Sequence, residues 1–267
     1  MQALLRPANY TTTQEWFPRS CKTVKPMSLI VAMQMLDKKI VVAADSLCLT
    51  YGNGLGDTTE QYPYGCGKLK RIAGTDWILA SAGFSVDGFH SELEAEIETG
   101  VTPQFNRDIR IGGPKYLKAL GDKIRVATEG IPEERKPYHP MMLAGFDSAG
   151  RPAVLGASPP KHGYSLAQAI YPLGAQEPTA HWIMRTLGAN CSSLEDVKRL
   201  ACFTIWQISK IDVRVGRIES GYPISLCVMS AGEPVQTENL TALPGWMLTW
   251  EVNLQACFAR TMQAPQS

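Results

Sequence analysis

The sequence has no apolar run of the roughly eighteen to twenty residues that a membrane-spanning helix needs. It also has almost no net charge, with 26 basic and 25 acidic residues, so it offers no electrostatic footprint for a nucleic acid or an anionic membrane. Its seven cysteines show no CxxC spacing, which disfavours both a disulfide framework and a zinc site. We therefore expect a cytoplasmic protein that binds neither a membrane nor a nucleic acid.

Two patterns suggest ligand sites but lack the required spacing. Gly52, Gly54 and Gly56 form a GxGxG run with no helix signal behind it, whereas a dinucleotide fingerprint needs GxGxxG before a helix. The four histidines lie far apart and show no ligand spacing, so packing or solvent exposure explains them best. We expect no metal ion and no other cofactor.

Residues 1–27 do not have the features of a secretory signal, because no long apolar core follows the charged and polar start. They contain three threonines at 11–13, but Gln14, Glu15 and Trp16 follow where a buried strand would be required. The segment is interpreted as a leader, a pro-segment or the product of an upstream start codon that is not used.

The stretch from Ser28 to Asp45 organises the rest of the chain. It predicts a β-hairpin with strands at Leu29–Leu36 and Lys39–Ala44 and a tight turn at Asp37-Lys38. Both strands are apolar at nearly every position, which indicates a sheet covered on both faces.

The remaining elements predict an α+β fold with antiparallel sheets, because blocks of strands precede blocks of helices. Residues 50–67 are rich in glycine and polar residues and are expected to form a surface loop. Helices are expected from near Ser85, from Pro114, through Pro178 to Gly188, and after a Ser193 cap with Asp196 three residues on. The other expected strands are Lys68–Ile72, Trp77–Ala82, Met141–Phe146, Pro152–Gly156, Ala169–Leu173 and Pro223–Met229, and Trp246–Trp250 and Val252–Phe258 suggest a further strand and helix.

Four segments, taken in order, resemble the first third of a proteasome-type N-terminal-nucleophile (Ntn) hydrolase. They are SLIVA from Ser28, VAADS from Val42, KLKRI from Lys68 and AGFSVD from Ala82. The start at Met27-Ser28 is most similar to the bacterial homologues of the ancestral type. The resemblance covers about 200 residues, from Ser28 to Met229. It implies a four-layer αββα sandwich with two stacked, mainly antiparallel sheets in residues 28–230, and it leaves residues 231–267 as a C-terminal extension.

The resemblance also implies an active site. Ser28 would be the nucleophile, with its own free α-amine as proton acceptor. Asp45 and Lys68 match the acid and the lysine of the family, where the ammonium stabilises the developing alkoxide and the carboxylate holds the lysine in place. Gly83 would supply a backbone N–H to the oxyanion.

The sequence departs from the active pattern of that family at the nucleophile, where Ser28 stands in place of threonine, and at two later places. Gly174-Ala175-Gln176 stands where active members carry a serine in a G-S-G motif. In place of R-D-x-x-S-G-G, the chain has Asp212 followed eight residues later by Ser220-Gly221, so the aspartate is either displaced to Asp212 or replaced by Arg217. Asp212 and Ser220 are therefore further candidate site residues.

Two functions of different classes remain open. The first is a proteasome-like peptidase that uses an N-terminal Ser28 within a ring of its own copies, and loss of Met27 as an initiator would expose that serine. The second is a non-catalytic proteasome-like subunit in which Ser28 stays blocked. An Ntn amidohydrolase of small acyl substrates on the same fold is a weaker alternative. Substrate preference and any unfoldase partner are not visible in the sequence.

Overall fold

A computed structural model describes residues 28–51, 59–62, 68–82, 87–130, 139–158, 163–166 and 169–263. Within these residues the chain forms twelve strands and five α-helices. The strands are β1 (Leu29–Gln34), β2 (Lys39–Asp45), β3 (Cys48–Tyr51), β4 (Thr59–Tyr62), β5 (Leu69–Arg71), β6 (Ile78–Ser81), β7 (Met141–Phe146), β8 (Pro152–Ser158), β9 (Gly163–Leu166), β10 (Ile170–Gly174), β11 (Ile224–Ser230) and β12 (Gln236–Leu240). The helices are α1 (Asp87–Glu98), α2 (Ile109–Ala127), α3 (Glu177–Gly188), α4 (Leu194–Ile211) and α5 (Gly245–Gln263).

The strands form two five-stranded sheets and one separate hairpin. The first sheet has the order β10-β1-β2-β11-β12, the second has the order β5-β6-β7-β8-β9, and β3 pairs with β4. Every pairing is antiparallel. The predicted hairpin of β1 and β2 is confirmed, with Ile30 opposite Ala44 and Gln34 opposite Ile40.

The alternation of side chains along β1 explains why both faces of the first sheet are covered. Leu29, Val31 and Met33 point to a core shared with α3 and α4. Ile30 and Ala32 point to a second core shared with the other sheet. Because both sets are apolar and fully buried, this hairpin lies at the centre of the molecule.

The outer face of the second sheet is covered by α1 and α2. Tyr116, Leu117 and Leu120 of α2 pack on Leu79 of β6 and Leu143 of β7 in a third core. The layers therefore run from α3 and α4, through the two sheets, to α1 and α2. This is the four-layer αββα sandwich that the family resemblance implied.

Helix α4 begins as its sequence predicts. The Ser193 hydroxyl accepts a hydrogen bond from the Asp196 N–H, and the Asp196 carboxylate accepts one from the Ser193 N–H, which completes a capping box. Helix α3 likewise has Pro178 in its first turn and ends at Gly188.

Three predicted elements differ from the structure. Helix α2 begins at Ile109 after an Asp108 cap, so Pro114 lies inside the helix rather than at its first position. Residues 50–67 were predicted as a loop, but Thr50 and Tyr51 of β3 pair with Glu60 and Thr59 of β4. Strand pairing uses backbone groups and needs no particular side chains, so the composition of the segment did not reveal it. Trp246–Trp250 is helical, since it belongs to α5.

The segment after residue 230 packs on the domain. Strand β12 pairs with β11 along its length, from Val228 opposite Gln236 to Ile224 opposite Leu240. Met247 of α5 is fully buried in the core between α3, α4 and the first sheet. Among the helices in the described residues, none is long and apolar enough to cross a membrane.

Candidate active site

Ser28 directly precedes β1, which lies between β10 and β2 in the first sheet. The residue is 1% exposed. Its carbonyl oxygen accepts a hydrogen bond from the N–H of Ala175 at 2.6 Å. The start of β1 is therefore hydrogen-bonded to the segment that joins β10 to α3.

The Asp45 carboxylate, at the end of β2, connects Ser28's neighbour to three other segments of the chain. Its Oδ1 accepts a hydrogen bond from the N–H of Leu29 at 2.9 Å. Its Oδ2 accepts one from Lys68 Nζ at 2.9 Å, one from the N–H of Gly216 at 3.0 Å and one from the N–H of Leu47 at 3.2 Å. Four donors on one buried carboxylate fix its orientation tightly.

Lys68 precedes β5 in the second sheet, so its ion pair with Asp45 joins the two sheets. The side chains of Lys68 and Asp45 are 8% and 0% exposed. Burial lowers the pKa of Lys68 from its ordinary value, and the neighbouring Asp45 carboxylate only partly offsets this by attraction and hydrogen bonding. The lysine is therefore closer to releasing a proton at neutral pH than an exposed lysine is.

Gly174 lets the chain approach the Ser28 carbonyl closely. Its φ of 112° lies in the region that favours glycine, and a Cβ there would overlap the Ser28 carbonyl oxygen. The Gly174 N–H donates to Glu177 Oε1 at 2.7 Å. Burial raises the pKa of Glu177, and this hydrogen bond only partly opposes the rise.

Asp212 directly follows α4, and its carboxylate is hydrogen-bonded by side chains other than that of Ser28. Its carboxylate accepts hydrogen bonds from Gln176 Nε2 at 3.2 Å and from Arg214 Nε at 2.8 Å, and a second guanidinium nitrogen of Arg214 also contacts it. Burial favours the protonated acid, but the hydrogen bonds from Arg214 and Gln176 outweigh it and lower the pKa of Asp212. The carboxylate is thus ionised and neutralised by Arg214.

Ser220 lies after the Asp212 segment, and no hydrogen bond within the described residues links it to the Asp45 carboxylate. Ser220 is exposed in a short 3₁₀ helix, Ile218–Ser220, and its N–H donates to the carbonyl of Arg217. The guanidinium of Arg217 in turn donates to the carbonyls of Ser209 at 2.9 Å and Lys210 at 3.2 Å, at the end of α4. In the part of the chain that the structure describes, no hydrogen bond or ion pair joins Arg217 to Asp45 or Lys68.

Gly216 was not predicted from the sequence but contacts Asp45 directly. It lies four residues after Asp212, which is the spacing between the aspartate and the first glycine of the D-x-x-S-G pattern, with Val215 at the serine position. That spacing was the available sequence signal for Gly216.

The predicted oxyanion donor Gly83 lies outside the described residues. The described residues contain no group of three His, Cys, Asp or Glu side chains that could hold a metal ion.

Comparison with known proteins gives a result for structure alone. No protein-family model matches the sequence, and no curated protein matches it either. Among solved structures, a Gly-1 mutant of Anbu from Hyphomicrobium sp. strain MC1 superposes with a TM-score of 0.62 at 16% identity over 90% of this chain and 98% of that one. Anbu, an ancestral beta-subunit, from Yersinia bercovieri superposes with a TM-score of 0.62 at 13% identity and the same coverage.

The chain has the proteasome-like Ntn fold. A second Anbu structure from Hyphomicrobium sp. strain MC1 agrees, with a TM-score of 0.58 at 15% identity over 90% of this chain and 98% of that one. In the Ntn fold of this chain, Ser28, Asp45 and Lys68 lie at one end of the stacked sheets. Lys68 is buried with a lowered pKa, and the Asp45 carboxylate that it contacts also accepts the N–H of Leu29, the residue after Ser28.

Proposed function

We propose that this protein is a proteasome-like amide hydrolase in which Ser28, once it is the N-terminal residue, is the nucleophile. The observation that supports this best is the buried Asp45–Lys68 ion pair, whose carboxylate also accepts the Leu29 N–H. That contact ties the pair to the residue next to the nucleophile. We further propose that the enzyme works in the cytoplasm and needs no cofactor.

The cost of burying the pair supports a chemical role. Removing two charges from water costs several kcal/mol per ion, and their mutual attraction often does no more than balance this. The sheets around Asp45 and Lys68 already have extensive apolar cores, so an ion pair is not needed to hold them together. Buried titratable groups with shifted pKa values are more common at functional sites.

The proposed reaction runs in two steps. The Ser28 Oγ attacks the carbonyl carbon of the substrate amide, while its proton passes to the free α-amine of Ser28 or to Lys68 in its neutral form. The C–N bond then breaks, the departing amine takes up that proton, and the acyl group remains as an ester on Ser28. Water attacks the ester, releases the carboxylic acid and restores the hydroxyl.

The reaction requires a free amine at Ser28. Hydrolysis of the Met27–Ser28 bond, or removal of Met27 as an initiator, would produce it, because a small residue follows. Peptides and proteins are the proposed substrates, and small acyl amides are the alternative, since the fold alone does not select between them. One of the similar structures is described as an ancestral beta-subunit, and we propose that this chain also assembles with its own copies into rings.

A non-catalytic subunit is the second candidate function. The position of Asp212 favours it, because Arg214 and Gln176 occupy its carboxylate. An active site in which this aspartate supported the α-amine of Ser28 would need those contacts to open. Ala175 adds to this, since it carries no hydroxyl where the resembled family has one.

The test starts from the intact mass and N-terminal sequence of the untagged protein from its own host. A chain that begins at Ser28 and hydrolyses fluorogenic peptide amides supports the proposal, and Ser28→Ala should then lose turnover by at least about a thousandfold. Ser91→Ala is the matched control, because it removes the hydroxyl of an exposed serine on α1, in the outer helical layer. A chain that retains Met27, or equal turnover by Ser28→Ala, contradicts the mechanism and leaves the non-catalytic subunit.

A further inference from the structure

The carboxylate that holds Lys68 is itself held by a loop that is distant in sequence. Asp45 Oδ2 accepts three hydrogen bonds, and the donor at 3.0 Å is the N–H of Gly216, 171 residues further along the chain. Lys68 Nζ donates to the same oxygen at 2.9 Å. The lysine and the glycine therefore share one acceptor atom.

Position 216 has room only for glycine. A Cβ on Gly216 would lie 2.8 Å from the Cβ of Leu47, 2.8 Å from the Cβ of Tyr222 and 3.1 Å from the N–H nitrogen of Leu47. Real Cβ atoms almost never approach other atoms this closely, and neither neighbouring Cβ can rotate away because both are attached to backbone. Any side chain at position 216 would therefore move its N–H away from Asp45.

Contacts outside the site fix the loop that carries Gly216. Within Asp212–Arg217, here called the 212–217 loop, Val215 donates its N–H to the Asp212 carbonyl. One end is tied to α3 through Gln176 Nε2 and the Asp212 carboxylate, at 3.2 Å. The other end is tied to α4 through the guanidinium of Arg217. The hydrogen bond on Asp45 thus depends on the position of both helices.

We propose that Gly216 is a positioning residue for Ser28 chemistry, and that the 212–217 loop sets how strongly Asp45 holds Lys68. The inference rests on the proposed function for its link to catalysis. It adds to that function a structural connection from the start of α3, through Gln176 and Asp212, to the carboxylate beside the nucleophile.

The shared acceptor gives the proposal an electrostatic consequence. Each N–H that donates to Asp45 Oδ2 offsets part of its negative charge and so weakens its pull on the Lys68 ammonium. Asp45 is the charged group that contacts Lys68 within the described residues. Displacing Gly216 should strengthen that pull and let water reach the pair, and both changes raise the pKa of Lys68.

The test compares Gly216→Ala with Gly245→Ala in the mature enzyme. Gly245 is the matched control, because its added Cβ would meet no atom within 4 Å. For Gly216→Ala we expect kcat to fall by roughly a hundredfold, as displacements of about 1 Å can do, with KM nearly unchanged. The acidic limb of the kcat/KM profile should also move to higher pH.

A second measurement follows Lys68 without using turnover. Acetic anhydride acetylates neutral amines, so peptide mass spectrometry at several pH values gives the pH midpoint of the Lys68 reaction. Lys118, whose side chain is 75% exposed, serves as the internal reference for reagent decay. Gly216→Ala should raise the Lys68 midpoint, and Gln176→Met, which removes the contact to Asp212 without adding volume to the loop, should raise it by less.

The turnover assay and the Lys68 acetylation assay separate the proposed function from the inference about the 212–217 loop. If the wild type shows no hydrolysis, the proposed function fails, while the Lys68 midpoints still decide whether the loop controls the pair. A Lys68 midpoint that is the same in the wild type and in Gly216→Ala overturns the inference. A loss of activity in Gly216→Ala with no change in the midpoint or the pH profile also overturns it, because it would reflect general damage.

Discussion

Replacing each member of the buried ion pair in turn should have unequal effects on stability. Lys68→Met keeps most of the side-chain volume and leaves Asp45 with its three backbone donors from Leu29, Leu47 and Gly216. Hydrogen bonds to a charged group are worth about 1.5–3 kcal/mol each, so the isolated carboxylate remains well stabilised. We expect Lys68→Met to lower the free energy of unfolding by about 1–3 kcal/mol.

Asp45→Asn should cost more, because its amide has one acceptor oxygen for four donors. Turning the NH₂ group toward Leu29 or toward Lys68 places donor against donor in either orientation, and the Lys68 ammonium loses its charged partner. Breaking a buried pair by removing one partner typically costs about 3–5 kcal/mol. We expect Asp45→Asn to lower the free energy of unfolding by an amount in this range, which is more than the loss expected for Lys68→Met.

Urea unfolding at pH 7 and equal protein concentration measures both changes, provided that the slope with denaturant stays constant. The double variant, Lys68→Met with Asp45→Asn, should lose less free energy of unfolding than the two single variants together, because neither unpaired charge of the ion pair remains. A Lys68→Met loss equal to or larger than that of Asp45→Asn would refute the reasoning. It would mean that the backbone donors do not stabilise the carboxylate as their geometry indicates.

Two further variants test the segment next to Ser28. Gly174→Ala adds a Cβ that overlaps the Ser28 carbonyl oxygen at a positive φ, so urea unfolding should show a loss of about 3 kcal/mol or more, and an unchanged stability would contradict the geometry. Glu177→Gln should remove a pH effect: because the pKa of Glu177 is raised by burial, the folded state holds its proton longer than the unfolded state. The wild type should therefore lose stability, relative to Glu177→Gln, as the pH rises from about 4.5 through the raised pKa, and parallel stability curves would contradict this.

Local patterns in the sequence predicted the central hairpin and the cap of α4, whereas the four layers were implied by the family resemblance. Strand β1 is apolar on both faces, and α4 carries its cap in the four residues from Ser193 to Asp196. The start of α2 was missed because Pro114 is a common first helical residue, whereas the cap is Asp108, which also accepts the N–H of Ser148 from a distant loop. Tertiary contact of this kind leaves no local pattern.

The aromatic segment at the C-terminus was misassigned for a related reason. Aromatic residues favour strands, and Trp246–Trp250 was predicted as one. The two tryptophans are four residues apart, so on a helix they lie on the same face, with ring centroids 6.1 Å apart, and Trp250 packs against Phe203 of α4 at 5.8 Å. The contact of Trp250 with Phe203 therefore favours the helical repeat of these aromatic residues over the alternating repeat of a strand.

For the candidate site, the ordered motif in the sequence predicted that Asp45 and Lys68 lie near Ser28, and it did not predict contacts that depend on the packing of distant segments. Ser28, Asp45 and Lys68 were expected together, and the structure places Lys68 on Asp45 and Asp45 on the Leu29 amide. Gly216 reaches Asp45 across 171 residues through a backbone N–H, and its spacing from Asp212 was the available signal for it in the sequence. Its requirement for glycine comes from Leu47 and Tyr222, which only the fold brings near.

The Asp45–Lys68 pair is the best argument for catalysis over a purely structural subunit. A structural subunit needs the sheets to stack, and apolar residues of similar volume at these two positions would serve that purpose at least as well. The burial that lowers the pKa of Lys68 works against the ion pair as a stabilising contact. The same burial makes the lysine a better proton acceptor for the chemistry that we propose at Ser28. A feature that weakens the fold while making Lys68 easier to deprotonate favours the proposed hydrolase over the non-catalytic subunit.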